Sequence, residues 1–300
     1  MHDQRLKDIV PFVASVEGGS FAAAAERLHL TGSAVSKSVT RLETRLGSRL
    51  LERTTRSLKL TDAGNAYYQT CLRIMEELAE AEAVLAAQRS IPSGRLRLAV
   101  PNTYGRLGVM PLLIPFCLQH PDVELNLTFS DRFIDLFDEG IDVAVRIGGS
   151  PDLPASLGCR QMGRERMVFC ASPDYLARVG RPNNEAELLQ HQAIMYERVD
   201  GSTKPWLFTT EDGYPHWRNL PHRMALGDVD AQVQAVCGGL GVAQMPSWLV
   251  REPLARGELE IILPEQQPDG LALTLIWPRR KQLLPKVDAL LAALEGLQIR

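Results

Sequence analysis

Between Ser20 and Leu60 the chain reads SFAAAAERLHLTGSAVSKSVTRLETRLGSRLLERTTRSLKL, and this stretch limits the fold more tightly than any other. Ser20 is a residue of the N-cap type, and Phe21 followed by four alanines suits a short helix packed closely on a neighbour. His29–Leu30 breaks that helix. Thr31 then caps a longer one that runs to about Leu46 and stops at Gly47. On a helical wheel Val35, Val39, Leu42 and Leu46 form one apolar stripe, while Ser33, Lys37, Thr40 and Thr44 lie opposite, flanked by Ser36 and Arg41. The second helix therefore anchors itself by valine and leucine and turns small hydroxyls and cations outward. A lone helix of this kind is most simply an amphipathic helix with a solvated face. Placed after a short helix and a tight break, it has the form of a recognition helix in a helix-turn-helix, which reads base edges with short polar groups and holds phosphates with Lys and Arg.

The residues after Gly47 strengthen the second reading. Arg45, Arg49, Arg53, Arg56 and Lys59 continue the positive run, and Leu50-Leu51 and Leu58-Lys59-Leu60 flank Arg53-Thr54-Thr55-Arg56 as two short strands flank a turn. A basic hairpin directly after a recognition helix makes a winged helix-turn-helix. Ser33, Ser36 and Thr40 are then the candidates for base edges, Lys37, Arg41, Arg53 and Arg56 for phosphates, and Thr31 is a further DNA-binding candidate. Charge is distributed to match. Residues 1–60 hold ten Lys/Arg against six Asp/Glu, a balance of +4, whereas the rest holds 23 against 30, a balance of −7. A basic head on an acidic body fits a DNA-binding module joined to something that should not bind DNA.

The run FAAAAERLHLTGSAVSKSVTRLETRLGSRLLERTTRSLKLTDAG resembles the DNA-binding signature of the LysR-type transcriptional regulators. That resemblance implies an N-terminal winged helix-turn-helix over 1–60, a dimerising linker helix over 61–91, and a two-lobed effector domain over 92–300, shaped like a periplasmic binding protein. Its first lobe would comprise 92–162 and 268–300 and its second 163–267, with crossovers near 161–164 and 265–270. Many members carry a glutamine where this chain has Gly32, so the base contact of that glutamine is not carried over. The partners implied are a double-stranded DNA operator, a small-molecule effector, further copies of the chain as a homodimer or homotetramer, and RNA polymerase if the protein activates.

Periodicity organises the remainder. The first helix is expected from about Leu6 to Glu17, with Pro11 either in its first turn or at a kink. From Thr61 to about Arg89 Cys71, Leu78 and Leu85 occupy one heptad core position and Tyr67, Ile74, Ala81 and Gln88 the other, the pattern of a helix that pairs with another. Ile91-Pro92-Ser93-Gly94 reads as a hinge. From Arg95 strands alternate with helices: Leu96–Val100, a helix over Tyr104–His120 interrupted by Pro111 and Pro115, Val123–Phe129, a short helix over Phe133–Glu139, and Asp142–Ile147. A second such series comes after it, and this order predicts a parallel α/β sheet. In such sheets ligands sit beyond the carboxyl ends of strands, at helix N-termini that favour anions. Asn102, Thr103, Ser130, Asp131 and Arg146 fall at such ends in the first lobe, and Tyr196, Asp228, Gln244 and Pro246 in the second. They point to a small polar, anionic metabolite. Each has a plainer reading: Thr103 and Asp228 as helix caps, Arg146 as a bridge to a neighbouring carboxylate, Tyr196 as cover for the core.

A small-molecule-binding protein with a non-regulatory DNA tether is the alternative from another class. No enzyme is expected, because no GxSxG elbow, metal cluster or phosphate-binding glycine loop is present in the sequence. GGLGVA at 238–243 leads into a strand instead of coming after one. No cofactor is expected either. Five cysteines without a CxxC pair read as reduced core thiols. Without a signal pattern or an apolar stretch approaching 18 residues, the expected location is the cytoplasm, with no membrane partner.

Overall fold

The computed structural model describes residues 3–53, 58–86, 91–132, 134–149, 152–198, 200–210, 212 and 214–299. The chain divides into two compact units, residues 1–88 and 89–300.

In the first unit, helices α1 (Asp3–Glu17), α2 (Phe21–Leu28) and α3 (Gly32–Leu46) are succeeded by strands β1 (Leu51–Arg53) and β2 (Leu58–Leu60) and by α4 (Asp62–Ala86). Side chains set the helix ends. Ser20 Oγ accepts the Ala23 N–H at 3.1 Å, and Thr31 Oγ1 accepts that of Ala34 at 3.2 Å. His29 closes α2 in the left-handed region at φ 53°, and Gly47 closes α3 at φ 65°, where the missing Cβ removes the steric penalty. Val35 packs with Ala14, Ala24 and Ala25, so the alanines of α2 do permit close helix packing. Val39 and Leu42 join Phe12, Val13, Leu50 and Leu51 in the main cluster. Leu46 departs from the expected stripe: it is exposed, one residue before the chain turns away at Gly47. Pro11 lies inside α1, which begins at Asp3.

The two wing strands are antiparallel, with Leu51 opposite Leu60 and Arg53 opposite Leu58. Glu43 Oε1 accepts the Leu50 and Leu51 N–H groups at 2.9 and 3.1 Å, tying the hairpin to α3. The hairpin tip, with Arg56, and the side chain of Arg53 lie outside the described residues. Thr61 Oγ1 accepts the Gly64 N–H at the start of α4. Gly64 is required there, since a Cβ would stand 1.9 Å from the Leu50 carbonyl oxygen. The 25 residues of α4 give a helix about 37 Å long. Its heptad pattern serves two purposes. Cys71 is fully buried in the core of the unit, and Tyr67 and Tyr68 pack on Phe12 at 5.9 and 6.3 Å between ring centroids. Ile74 and Leu78, one and two turns further on, are exposed. The side chains of Ala81 and Leu85, and Gln88, fall outside the described residues.

The second unit begins with β3 (Gly94–Val100), α5 (Asn102–Tyr104), a π-helical turn (Gly105–Val109), α6 (Met110–Gln119), β4 (Val123–Phe129) and β5 (Val143–Ile147). A long strand β6 (Leu157–Ala171) leads to α7 (Pro173–Val179), α8 (Glu185–Leu188), β7 (Ile194–Tyr196), β8 (Trp206–Thr209), β9 (Pro215–Arg218) and β10 (Met224–Leu226). Then come α9 (Val229–Cys237), β11 (Ala243–Pro246), α10 (Ser247–Ala255), β12 (Glu260–Ile262), β13 (Asp269–Pro278), a 3-10 turn (Arg279–Leu283) and α11 (Pro285–Ala293). The central sheet runs β11-β6-β13-β5-β3-β4, with β12 also on β6. It is mixed, not wholly parallel: β3 is parallel to β4 and β5, while β13 is antiparallel to β5 and β6, and β11 and β12 are antiparallel to β6. The reason is that both crossovers are themselves strands. β6 and β13 run side by side from one lobe into the other, with shifts of register between Asp269 and Ala272 and between Leu273 and Thr274. Separate cores lie on either side of that crossing. Ala99, Leu136, Ile141 and Ala144 belong to lobe I, and Phe169, Tyr175, Met195, Trp206 and Phe208 to lobe II.

Two local expectations fail for visible reasons. The segment 134–140 is a turn, not a helix, because Asp135 Oδ1 takes the N–H groups of Phe137 and Asp138 at 2.8 and 3.1 Å and so competes with helical bonding; Phe133 is outside the described residues. The helical run after β3 passes through a π-helical turn just before Pro111, whose ring removes an N–H and crowds the preceding turn. The cysteines are all free, but only Cys71 and Cys170 are buried; Cys159 is exposed. Burial pushes the Cys71, Cys170 and Cys237 thiols up, away from thiolate chemistry.

Candidate functional site

On the first unit, α3 displays its polar side as expected. Thr31, Ser33, Lys37, Thr40 and Arg41 are exposed and Ser36 is half-buried, opposite the buried Val35, Val39 and Leu42. Ser36, Lys37, Thr40, Arg41 and Arg45 line one open groove along the helix. Several of the hydroxyls are held by the helix itself. Thr40 Oγ1 donates to the Ser36 carbonyl at 2.9 Å, and Thr31 and Ser33 hydroxyls lie 3.1 Å apart. Arg41 is less free than its sequence position suggests. Its guanidinium donates to the buried Asp8 of α1 at 2.8 Å and to Ser38 at 3.1 Å. One edge of the group is thus anchored in the fold, and the side chain as a whole stays exposed.

On the second unit, the carboxyl ends of β3, β5 and β11, the β6–β13 crossing and the N-terminus of α9 enclose a cavity of about 360 Å³. Eight of the nine predicted residues line it: Thr103, Ser130, Asp131, Arg146, Tyr196, Asp228, Gln244 and Pro246. Asn102 does not; its N–H and Nδ2 are bound to the Asp131 carboxylate at 3.0 and 2.6 Å. Several lining groups prove to be held by the protein. Thr103 donates to Asp230 at 2.9 Å, and Asp228 caps α9 through the Ala231 N–H at 2.8 Å. Gln244 spends both ends of its amide on the backbone of Leu207, so its side chain braces lobe II instead of reaching a ligand.

Arg146 is different. It is 5% exposed, its Nη1 donates to the Ser130 carbonyl at 3.1 Å, and its Nη2 is buried without a hydrogen-bond partner among the described residues. Burial pushes its pKa down, while the charges of Asp131 and Glu139 act in the opposite sense. A guanidinium stays charged regardless, so a fixed cation lines the cavity, and one of its donors is buried and unused.

The chain order did not reveal the crossing residues. Glu165 on β6 is 3% exposed, accepts from Trp248 Nε1 at 3.1 Å and from the Leu271 N–H at 3.3 Å, and is pushed up in pKa chiefly by burial. Lys204, pushed down by burial, is the cation whose field acts on it. The only sequence cue is a lone acid between Arg164 and Arg166, which strand alternation places on the opposite face from both. Tyr104 and Trp248 close one wall, edge to face at 5.2 Å, and burial raises the Tyr104 pKa to about 12. Burial, with the charges of Asp131 and Asp228, also raises that of Tyr196. Three cations (Arg146, Arg198, Lys204) and three carboxylates (Asp131, Glu165, Asp228) share the lining.

A winged helix-turn-helix and a two-lobed α/β unit with a ligand-sized cleft, carried on one chain, define a class: DNA-binding regulators with an effector domain. Residues 6–65 match the family model for the bacterial regulatory helix-turn-helix protein of the lysR family, and residues 89–298 match that for the LysR substrate binding domain. The chain belongs to the LysR family of transcriptional regulators. Among its relatives, the transcriptional activator AaeR of Escherichia coli (strain K12) is 33% identical over 97% of this chain and 93% of its own. The regulator CrgA of Neisseria meningitidis serogroup C is 37% identical over 88% and 86%. Among solved structures, the full-length virulence activator AphB of Vibrio cholerae has a TM-score of 0.62 at 27% identity, covering 97% of this chain and 98% of its own. The CrgA structure has a TM-score of 0.59 at 30% identity, covering 96% and 97%.

Proposed function

We propose that the chain works as a cytoplasmic homo-oligomer, without enzymatic activity or cofactor, that binds a double-stranded operator and changes its grip when a small anionic metabolite enters the cleft. The first 60 residues would hold the DNA, residues 61–91 would pair the copies, and 92–300 would sense the metabolite. The observation that carries the effector half is Arg146: a buried guanidinium that lines the cavity between two lobes and keeps one N–H unused. A buried charge with an unused donor is costly even with Asp131 and Glu139 nearby, and an anion from outside relieves it. A ligand held by groups of both lobes favours one relative orientation of them, and that differential affinity is what can be transmitted to DNA binding. Ile74 and Leu78, exposed on α4, support pairing through the linker helix. Among the described residues no helix is long and apolar enough to cross a membrane. If the protein activates, RNA polymerase is a partner.

The test starts from genomic DNA fragments retained by the full-length protein, whose neighbouring genes suggest metabolites to try. A metabolite that shifts operator affinity in the wild type should have no effect on Arg146→Gln, while binding without metabolite stays within about twofold. A variant that still responds removes Arg146 from the site.

A further inference from the structure

Thr103, which lines the cleft, is bonded together with two further side chains. Thr103, on α5 of lobe I, is 4% exposed and donates its hydroxyl to Asp230 Oδ2 at 2.9 Å. Arg106, in the adjoining π-helical turn, donates to the same oxygen and lies 3.3 Å from Thr103 Oγ1. Asp230 belongs to lobe II, in the first turn of α9. A hydroxyl and a guanidinium converging on one carboxylate oxygen form the kind of donor pair that holds a ligand's carboxylate. Here the protein supplies that carboxylate. The Asn102 donors are engaged in the same way, by Asp131. Among the described residues of lobe I, the buried side-chain donor without a partner is Nη2 of Arg146; of the two lobe II cations in the lining, Lys204 is under the field of Glu165 and Arg198 donates to Ser202 Oγ and the Thr203 carbonyl.

We propose that Asp230 is a selectivity determinant: by occupying Thr103 and Arg106 with its own carboxylate, it restricts the cleft to effectors with a single anionic group, held at Arg146, and turns away dicarboxylates. A second carboxylate reaching the buried Thr103 must displace Asp230 or lie against its charge, and like charges brought together are disfavoured, the more so at Thr103 than at the exposed side of the Arg106–Asp230 pair. The walls agree with a compact body on that single anion, since Tyr104, Trp248, Met167 and Leu271 face the same cavity. Because Thr103 and Arg106 stand in lobe I and Asp230 in lobe II, the same contact also bridges the lobes. This inference rests on the reading of the cleft as an anion-binding effector site.

The test uses the full-length protein and two matched sets of probes, the straight-chain monocarboxylates of four to eight carbons and the α,ω-dicarboxylates of the same lengths. Binding is monitored by titration calorimetry and by melting temperature. The wild type should bind at least one monocarboxylate about tenfold or more tightly than its dicarboxylate counterpart. In Asp230→Asn the charge is gone and Arg106 is released, so the ratio for at least one length should move about tenfold toward the dicarboxylate. Asp230→Glu, which keeps the charge, should retain the wild-type preference. A wild type that prefers dicarboxylates, or a preference that Asp230→Asn leaves unmoved, overturns the role of Asp230 while leaving Arg146 as the anchor. No binding of either set overturns the anionic reading of the cleft and this inference with it.

Discussion

Replacing Arg146 by methionine should stabilise the ligand-free protein and abolish its response to effector. The guanidinium is nine-tenths buried, makes one hydrogen bond, to the Ser130 carbonyl, and leaves Nη2 without a partner. An unsatisfied buried donor costs about 1–3 kcal/mol, more when it is charged. Against that, the substitution removes the Ser130 bond, and a hydrogen bond from a charged group contributes roughly 1.5–3 kcal/mol. It also removes the desolvation cost of the charge itself, which in real proteins reaches several kcal/mol. Methionine preserves most of the volume, so packing losses stay below about 1.5 kcal/mol. The favourable charges of Asp131 and Glu139 are lost as well, so the net expectation is a gain of only about 1 kcal/mol, or roughly 2–4 °C in the melting temperature of a unit of this size. Differential scanning calorimetry of the full-length chain reads this as an upward shift of one transition, that of the effector domain. The transition of the DNA-binding unit, which does not contain Arg146, should stay in place. A fall of several degrees would refute the reasoning, because it would mean that Arg146 is paired within the fold and is not held open for an anion.

Two further outcomes concern Glu165 and Leu78. Glu165 has a folded pKa raised above its ordinary value, so the folded state keeps its proton where the unfolded chain has lost it. Stability of the effector domain should therefore fall as pH rises from about 4.5 through the folded pKa, and Glu165→Gln should remove that slope in urea melts run across the window. Leu78, exposed on α4, should lie in the seam between paired helices, so Leu78→Asp buries a charge there, costs several kcal/mol of association and yields smaller species by sedimentation; an unchanged oligomer moves the interface to the effector domains.

The winged helix-turn-helix was legible because its determinants are local. Ser20, Thr31 and Gly47 mark helix ends by their own chemistry, and the stripe of Val35, Val39 and Leu42 declares which face is buried. Leu46 misled because wheel position cannot show where the core ends. The sheet order was only partly legible: alternating strands and helices predicted parallel pairing, but the antiparallel run of β6 beside β13 joins segments roughly a hundred residues apart. The cleft was legible where a cavity-lining group sits at a strand end, as with Arg146 and Tyr196. It was not legible for Glu165, Lys204 and Asp230, whose roles arise from contacts between segments far apart in the chain. Nor could sequence show that Gln244 bonds the backbone of Leu207, or that Arg41 is tied to Asp8.

The most direct test of the central claim, that α3 reads duplex DNA, is the salt dependence of binding to a genomic fragment the protein retains, compared between wild type, Lys37→Ala and Ser36→Ala. Lys37 and Ser36 lie in one groove of α3, the first exposed and cationic, the second small and polar. Lys37→Ala should weaken specific and unrelated duplexes alike and flatten the logarithmic salt slope by about one unit. Ser36→Ala should leave the slope alone and change the ranking of operator variants. If both substitutions left affinity, slope and ranking as they are in the wild type, the recognition face would not be on α3.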